Sequence, residues 1–180
     1  MGYTTWFKGE IDIEPKPTEQ ITTFVNGLMN TRRMMRDVNK LPPVDEQLNP
    51  LKTHGVEGEF YFNPKSTSFG QNETEEAGIV NYNEPPSSQP SLWLQWEINK
   101  EGKLQWNKAE KFYEYKKWLI YLIENIFKPF SYTLNGKISF RGEDSDDEGY
   151  ITVVNNVVSK SFEPVKKLKK EKIIKNIVKK

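Results

Sequence analysis

Phe7, Ile11 and Ile13 alternate with Lys8, Glu10, Asp12 and Glu14, the period of two that turns one side of a strand to a core and the other to water. A strand is expected over this stretch. After Pro15 and Pro17 the period changes: Thr18 offers an N-cap, Glu19 sits in the first turn, and Ile21, Phe24, Val25 and Leu28 recur at helical spacing. This predicts a first helix running to about Arg36. Pro42, Pro43 and Pro50 break any ladder over 38–57, which reads as loop, and Gly58 to Phe62 reads as the next strand.

Between Asn63 and Pro90 the chain is polar, with a short edge strand suggested at Ile79, Val80 and Tyr82. Alternation returns at Leu92, Leu94, Trp96 and Ile98, turns at Asn99–Gly102 and resumes at Leu104 and Trp106, a hairpin pattern. Asn107 stands three residues before Glu110, the spacing of a capping box. Phe112, Tyr115, Leu119, Leu122, Ile123 and Ile126 then form an apolar stripe that Lys128-Pro129 ends. Asn135-Gly136, flanked by Tyr132–Leu134 and by Ile138 and Phe140, predicts a second hairpin, and Tyr150 to Val154 a last strand.

The expected order is β-α-β-β-β-α-β-β. Strands follow strands and only two helices interrupt them, so the fold class is α+β, a mainly antiparallel sheet with both helices on one face. Gly9-Glu10-Ile11, Gly58-Glu59-Phe60 and Gly136-Lys137-Ile138 each open an alternating segment, the pattern that an internal duplication would leave.

Composition narrows the class. The 180 residues, 36% hydrophobic and 28% charged, suffice for one core without disulfides, and the chain has no cysteine. No signal peptide pattern and no apolar run of membrane-spanning length is present, so a cytoplasmic location is expected. Charge divides the chain into a body over 1–160 and a tail over 161–180. The tail carries eight lysines against Glu163 and Glu171, a net of +6, which leaves −5 for the rest of a chain whose total is +1. Lys166, Lys167, Lys169 and Lys170 are candidate partner contacts in a tail that reads equally as disordered or as an amphipathic helix.

Chemistry is sparse. No phosphate-binding loop or dinucleotide fingerprint follows an expected strand, and the one histidine, His54, excludes a two-histidine zinc or phosphodiesterase site within one chain. No cofactor is expected. Asp144, Asp146, Glu148 and Gly149 copy the first positions of a calcium loop, but Asn155 stands where the bidentate glutamate belongs, and a solvated acidic turn is the simpler reading. Arg32, Arg33 and Arg36 cluster where the first helix should end. There they complement the helix dipole, or form a site for an anionic small molecule or acidic partner. Trp96 and Trp106 share the apolar parity of their strands, which leaves Trp93 as the exposed aromatic candidate for a partner contact. The negative body disfavours nucleic acid except at the tail.

Several spaced motifs carry a resemblance: Met1-Gly2-Tyr3-Thr4-Thr5 with Phe7 and Gly9, Asn30-Thr31-Arg32-Arg33-Met34, Gln89-Pro90 before Leu92-Trp93, Glu110-Lys111-Phe112-Tyr113 with Trp118-Leu119, and Leu134-Asn135-Gly136 before Gly142-Glu143-Asp144. Over Met1 to Val158 the chain resembles a family of small uncharacterised proteins of bacteriophages, prophages and some bacteria, departing from it in the loop from Asn63 to Glu84. The resemblance implies a phage-type accessory protein acting in a bacterial cytoplasm and carries over no catalytic residue. Three readings stay open: a non-enzymatic binding protein with a protein partner, an enzyme or sequestering protein for a nucleotide or other anionic small molecule, and a self-associating virion or structural component.

Overall fold

The computed structural model describes residues 2–65 and 78–164. Strand β1 (Thr5–Glu14) leads through Pro15 and Pro17 into helix α1 (Glu19–Met29). Then come two short strands, β2 (Met35–Arg36) and β3 (Ile79–Asn81), followed by the hairpin β4 (Trp96–Ile98) and β5 (Leu104–Trp106). Helix α2 (Tyr115–Leu122) continues as a π-helical turn over Ile123–Phe127 and a 3-10 turn over Lys128–Phe130. Strands β6 (Thr133–Gly142), β7 (Glu148–Val154) and β8 (Val157–Phe162) complete the order.

The class is α+β. Six strands form one antiparallel sheet in the order β4-β5-β1-β6-β7-β8, and β2 pairs with β3 in a separate two-stranded sheet. β1 and β6 run side by side in the middle, paired from Thr5↔Gly142 to Glu14↔Thr133. Their apolar parity, with Ile11, Ile13, Leu134, Ile138 and Phe140 buried, faces α1 and α2 and sets the core. Removing this surface from water is the main term holding the layers together. The opposite face carries Trp6, Lys8, Glu10, Lys137, Ser139, Arg141 and Tyr150 and stays in solvent.

Thr18 caps α1 as its sequence predicts, its side chain accepting from the Ile21 amide. The helix stops at Met29, however, well before Arg36. Asn30 closes it, and the Thr31 hydroxyl donates back to the Gly27 carbonyl at 2.9 Å, so the arginines lie beyond the helix and its dipole does not explain them. Asn26 on α1 holds β4 with two bonds, donating to the Ile98 carbonyl at 2.9 Å and accepting from the Ile98 amide at 2.8 Å.

Other expectations are corrected for local reasons. Gly58 to Phe62 forms turns and no strand: Gly58 has φ +80 and the Tyr61 amide returns to its carbonyl. Of the three similar glycine segments, only those at Gly9 and Gly136 lie in strands. α2 starts at Tyr115, not near Asn107, because Lys108, Lys111 and Glu114 all adopt left-handed backbone (φ 67, 58 and 56) that no helix contains. Asn107 spends its side chain on the Ala109 amide instead of a helix cap.

Asn135-Gly136 is not a turn. Both residues lie inside the ten-residue β6, where Gly136 lets the β1 backbone come close: a Cβ there would stand 2.8 Å from the Glu10 carbonyl oxygen and 2.9 Å from Ile11 Cα. The true tight turn is Asn155-Asn156 between β7 and β8, with φ 47 and 69, and β8 follows it as a strand beyond the set expected from sequence. Asn156 also accepts from the Leu134 amide at 2.7 Å, which ties the turn to β6.

Candidate binding surface

The segment after α1 laces the loops of the molecule together. The backbone N–H of Arg33 donates to the Leu92 carbonyl, that of Met35 to Glu84 and that of Arg36 to Glu57, each at 2.8–2.9 Å. Arg33 and Arg36 both turn inward although they lie three residues apart, because the Met34 amide returns to the Arg32 carbonyl and the ladder with β3 shifts between Met35 and Arg36, which breaks simple strand alternation.

Arg33 and Arg36 enter, at 0% and 1% exposure. The Arg33 guanidinium donates to the Tyr61 carbonyl at 2.5 Å and, more weakly, to the Leu28 carbonyl at 3.4 Å. Burial, and next the positive charge of Arg36, lower its pKa to about 9, so it remains charged at neutral pH. Arg36 lies over the Tyr61 ring, 4.6 Å from guanidinium carbon to centroid. Around them Gln89 donates to the Glu59 carbonyl at 2.7 Å and to the Tyr121 hydroxyl at 3.1 Å, and Glu57 accepts from the Ser87 amide and hydroxyl. Two of the three candidate anion ligands therefore hold loops in place and are closed to a ligand arriving from solvent.

Arg32 leaves. Its Nε donates to the Tyr82 carbonyl at 3.1 Å, and its guanidinium carbon lies 4.4 Å from the centroid of the Tyr82 ring and 6.0 Å from that of Trp93. Tyr82 is 40% exposed and Trp93 half-buried. The structure thus joins one candidate from the arginine cluster with the aromatic candidate. Their meeting depends on the loop carrying Tyr82, whose part in the site has no sequence signature. Next to Trp93 the Ser91 hydroxyl accepts from Trp118 Nε1 at 2.8 Å and lies 3.4 Å from the Trp93 carbonyl, to which it donates. The expectation for Trp96 holds, since it is fully buried and donates to the Tyr115 carbonyl, whereas Trp106 is only half-buried.

The acidic turn is occupied with structural work. Asp147 accepts from the Tyr3 hydroxyl at 2.9 Å, that same hydroxyl accepts from the Asp144 amide at 3.1 Å, and Glu143 accepts from the Thr4 amide. The turn pins the start of β1. Asp144, Asp146 and Glu148 do not converge: among the described residues no group of three His, Asp or Glu side chains could hold a metal ion. His54 is engaged as well, with Nε2 at 2.7 Å from the Pro42 carbonyl and its ring edge-on to Tyr61, beside a cavity of about 350 Å³ walled by Pro42, Phe60 and Phe62. Lys166, Lys167, Lys169 and Lys170 lie outside the described residues.

Among the described residues no helix is long and apolar enough to cross a membrane. The chain matches no protein-family model, no curated protein and no solved structure.

Proposed function

We propose that this chain is a small non-enzymatic binding protein, of the phage accessory type its sequence resembles, which acts on a protein partner in the bacterial cytoplasm through the surface formed by Arg32, Tyr82 and Trp93. The supporting observation is the stacking of the Arg32 guanidinium on Tyr82 next to Trp93 at the surface. Trp, Tyr and Arg are the residue types that dominate binding energy at protein interfaces, since each offers a large, semi-rigid contact area with a polar edge. Here the Nε–Tyr82 bond and the aromatic rings restrict the Arg32 side chain, so less rotamer freedom remains to be lost on binding.

An anionic small molecule is less well served. A clamp needs guanidinium groups open to the ligand, and Arg33 and Arg36 are closed.

The test is quantitative co-purification of the tagged chain from the bacterial host, followed by titration of whichever protein is retained. Trp93→Ala and Arg32→Ala are each expected to weaken that association by about 2 kcal/mol, some thirtyfold, while leaving the thermal midpoint nearly unchanged. A partner retained equally by both variants would rule this surface out.

A further inference from the structure

Among the described residues, the six-stranded sheet has one stretch of main-chain edge with no strand beside it. β1 is paired with β6 along its whole length, but on its other side the ladder with β5 is confined to Ile11↔Leu104. Among the described residues Thr5–Gly9 therefore have no strand partner on that side. Two local causes open the gap. Gly9 has φ +121, a conformation outside regular strand geometry that L side chains avoid. β5 ends at Trp106, after which the three left-handed residues of 108–114 lead the chain away.

The result is a groove of about 570 Å³ with Trp6, Lys8 and Glu10 on one wall and Trp106, Lys108 and Glu110 on the other. Trp6 is 49% exposed. Trp106 is held by its Nε1, which donates to the Ala109 carbonyl at 3.1 Å. Phe7 and Trp106 meet edge to face at 5.5 Å between the walls.

The two outer edges of the same sheet are protected. On β4 both backbone groups of Ile98 are taken by Asn26 of α1. On β8 Lys160 turns inward, its Nζ donating to the Tyr115 hydroxyl and lying over the rings of Phe140 and Phe162. An inward charge is a device that keeps edge strands from pairing. The open edge of β1 differs from both outer edges in that Trp6 and Trp106 stand beside its charged residues.

We propose that the edge of β1 at Thr5–Gly9 takes an extended segment of another protein as an added strand, seated between Trp6 and Trp106. Five residues of strand present roughly 16 Å of main chain, enough for a short linear peptide recognised by its backbone, with alternate side chains read by the walls. Lys8 and Lys108 are balanced by Glu10 and Glu110, so the groove selects no net charge, which favours polypeptide over a phosphate backbone. This surface is distinct from the Arg32–Tyr82–Trp93 surface, and the inference goes beyond that reading.

The test uses the full chain and amide hydrogen exchange read residue by residue by NMR. In the free protein, those amides of Thr5–Gly9 that point away from β6 are expected to exchange about a hundredfold faster than their β6-bonded neighbours. A random peptide display library panned on the full chain then supplies the probe. A selected peptide should slow the same amides about tenfold, and Trp6→Ala should weaken its binding about tenfold while Trp93→Ala leaves it unchanged. Loss through Trp93→Ala instead would assign the peptide to the other surface and overturn this proposal. So would a library yielding no binder, or protection appearing only at β8. Amides already slow in the free chain would overturn it too, whether their protection rises with protein concentration, as a second copy would cause, or vanishes on truncation after Pro164, as residues 165–180 of the same chain would cause.

Discussion

Replacing Arg33 by alanine is expected to cost about 3–5 kcal/mol of folding stability, as for truncation of other large buried side chains. The side chain is fully buried, so its removal leaves a cavity beneath the Tyr61 loop. It also strips the Tyr61 carbonyl of its guanidinium donor and the Leu28 carbonyl of its weaker one. Arg33→Met separates packing from charge. Methionine refills most of the volume and removes a cation that burial and Arg36 both disfavour. Methionine still leaves the Tyr61 carbonyl without its donor, so this variant should cost about 1–3 kcal/mol, less than alanine by the packing it restores. Urea unfolding of the two variants beside Arg32→Ala, which should lose under about 1 kcal/mol as a surface change, gives the ordering. Equal losses for Arg33→Met and Arg33→Ala would show that the guanidinium bonds to the Tyr61 and Leu28 carbonyls, which both variants lose, carry the contribution of Arg33 and that its packed volume does not.

That contrast also explains how far the sequence could be read. Three arginines within five residues are visible in any listing of the chain, but their roles are set by backbone bonds to Leu92, Glu84 and Glu57, residues 21–59 positions away. Helical periodicity suggested that α1 extends to Arg36 and placed all three on one helix end. The chain in fact leaves the helix at Asn30, and an irregular segment, turned at Arg33 and shifted in register between Met35 and Arg36, divides them between interior and surface.

Where the signal was a period of two or a helical stripe backed by burial, the reading survived: β1, the hairpin of β4 and β5, the body of α2 and β7 are all present. Where it depended on a local pair of residues, tertiary contacts overrode it. Asn107 and Glu110 have the spacing of a capping box, yet Gln95 takes the Glu110 carbonyl and Asn107 folds onto Ala109. The Tyr82 wall of the candidate surface was beyond reach for the same reason: the sequence marks Tyr82 only as part of a short edge strand, and its meeting with Arg32 is a tertiary contact 50 positions apart. The gap beside β1 was legible only in part. Gly9 shows in the sequence, but the missing β5 partner depends on where a neighbouring strand stops.

The clearest conflict between local pattern and fold is at Asn135-Gly136, and it carries the second large effect. Gly136→Ala is expected to destabilise the protein by about 2–3 kcal/mol, the range for overpacking at a site that cannot yield. The added methyl would press on the Glu10 carbonyl oxygen and Ile11 Cα, which are backbone atoms of the central pair and cannot rotate away as a side chain would. A paired insertion experiment distinguishes a strand from a turn at this place. One glycine inserted between Asn135 and Gly136 would shift the rest of β6 by one position, turning Ile138 and Phe140 from the core to solvent, and the sheet should not form. The same glycine between Asn155 and Asn156 lengthens a real turn, where the exposed tip can absorb it for about 1 kcal/mol. Circular dichroism and urea unfolding should therefore show a folded chain for the second insertion and an unfolded one for the first. A folded, cooperative protein from the first would mean that Asn135-Gly136 is the hairpin its residue types suggest and that the register of β1 against β6 is wrong.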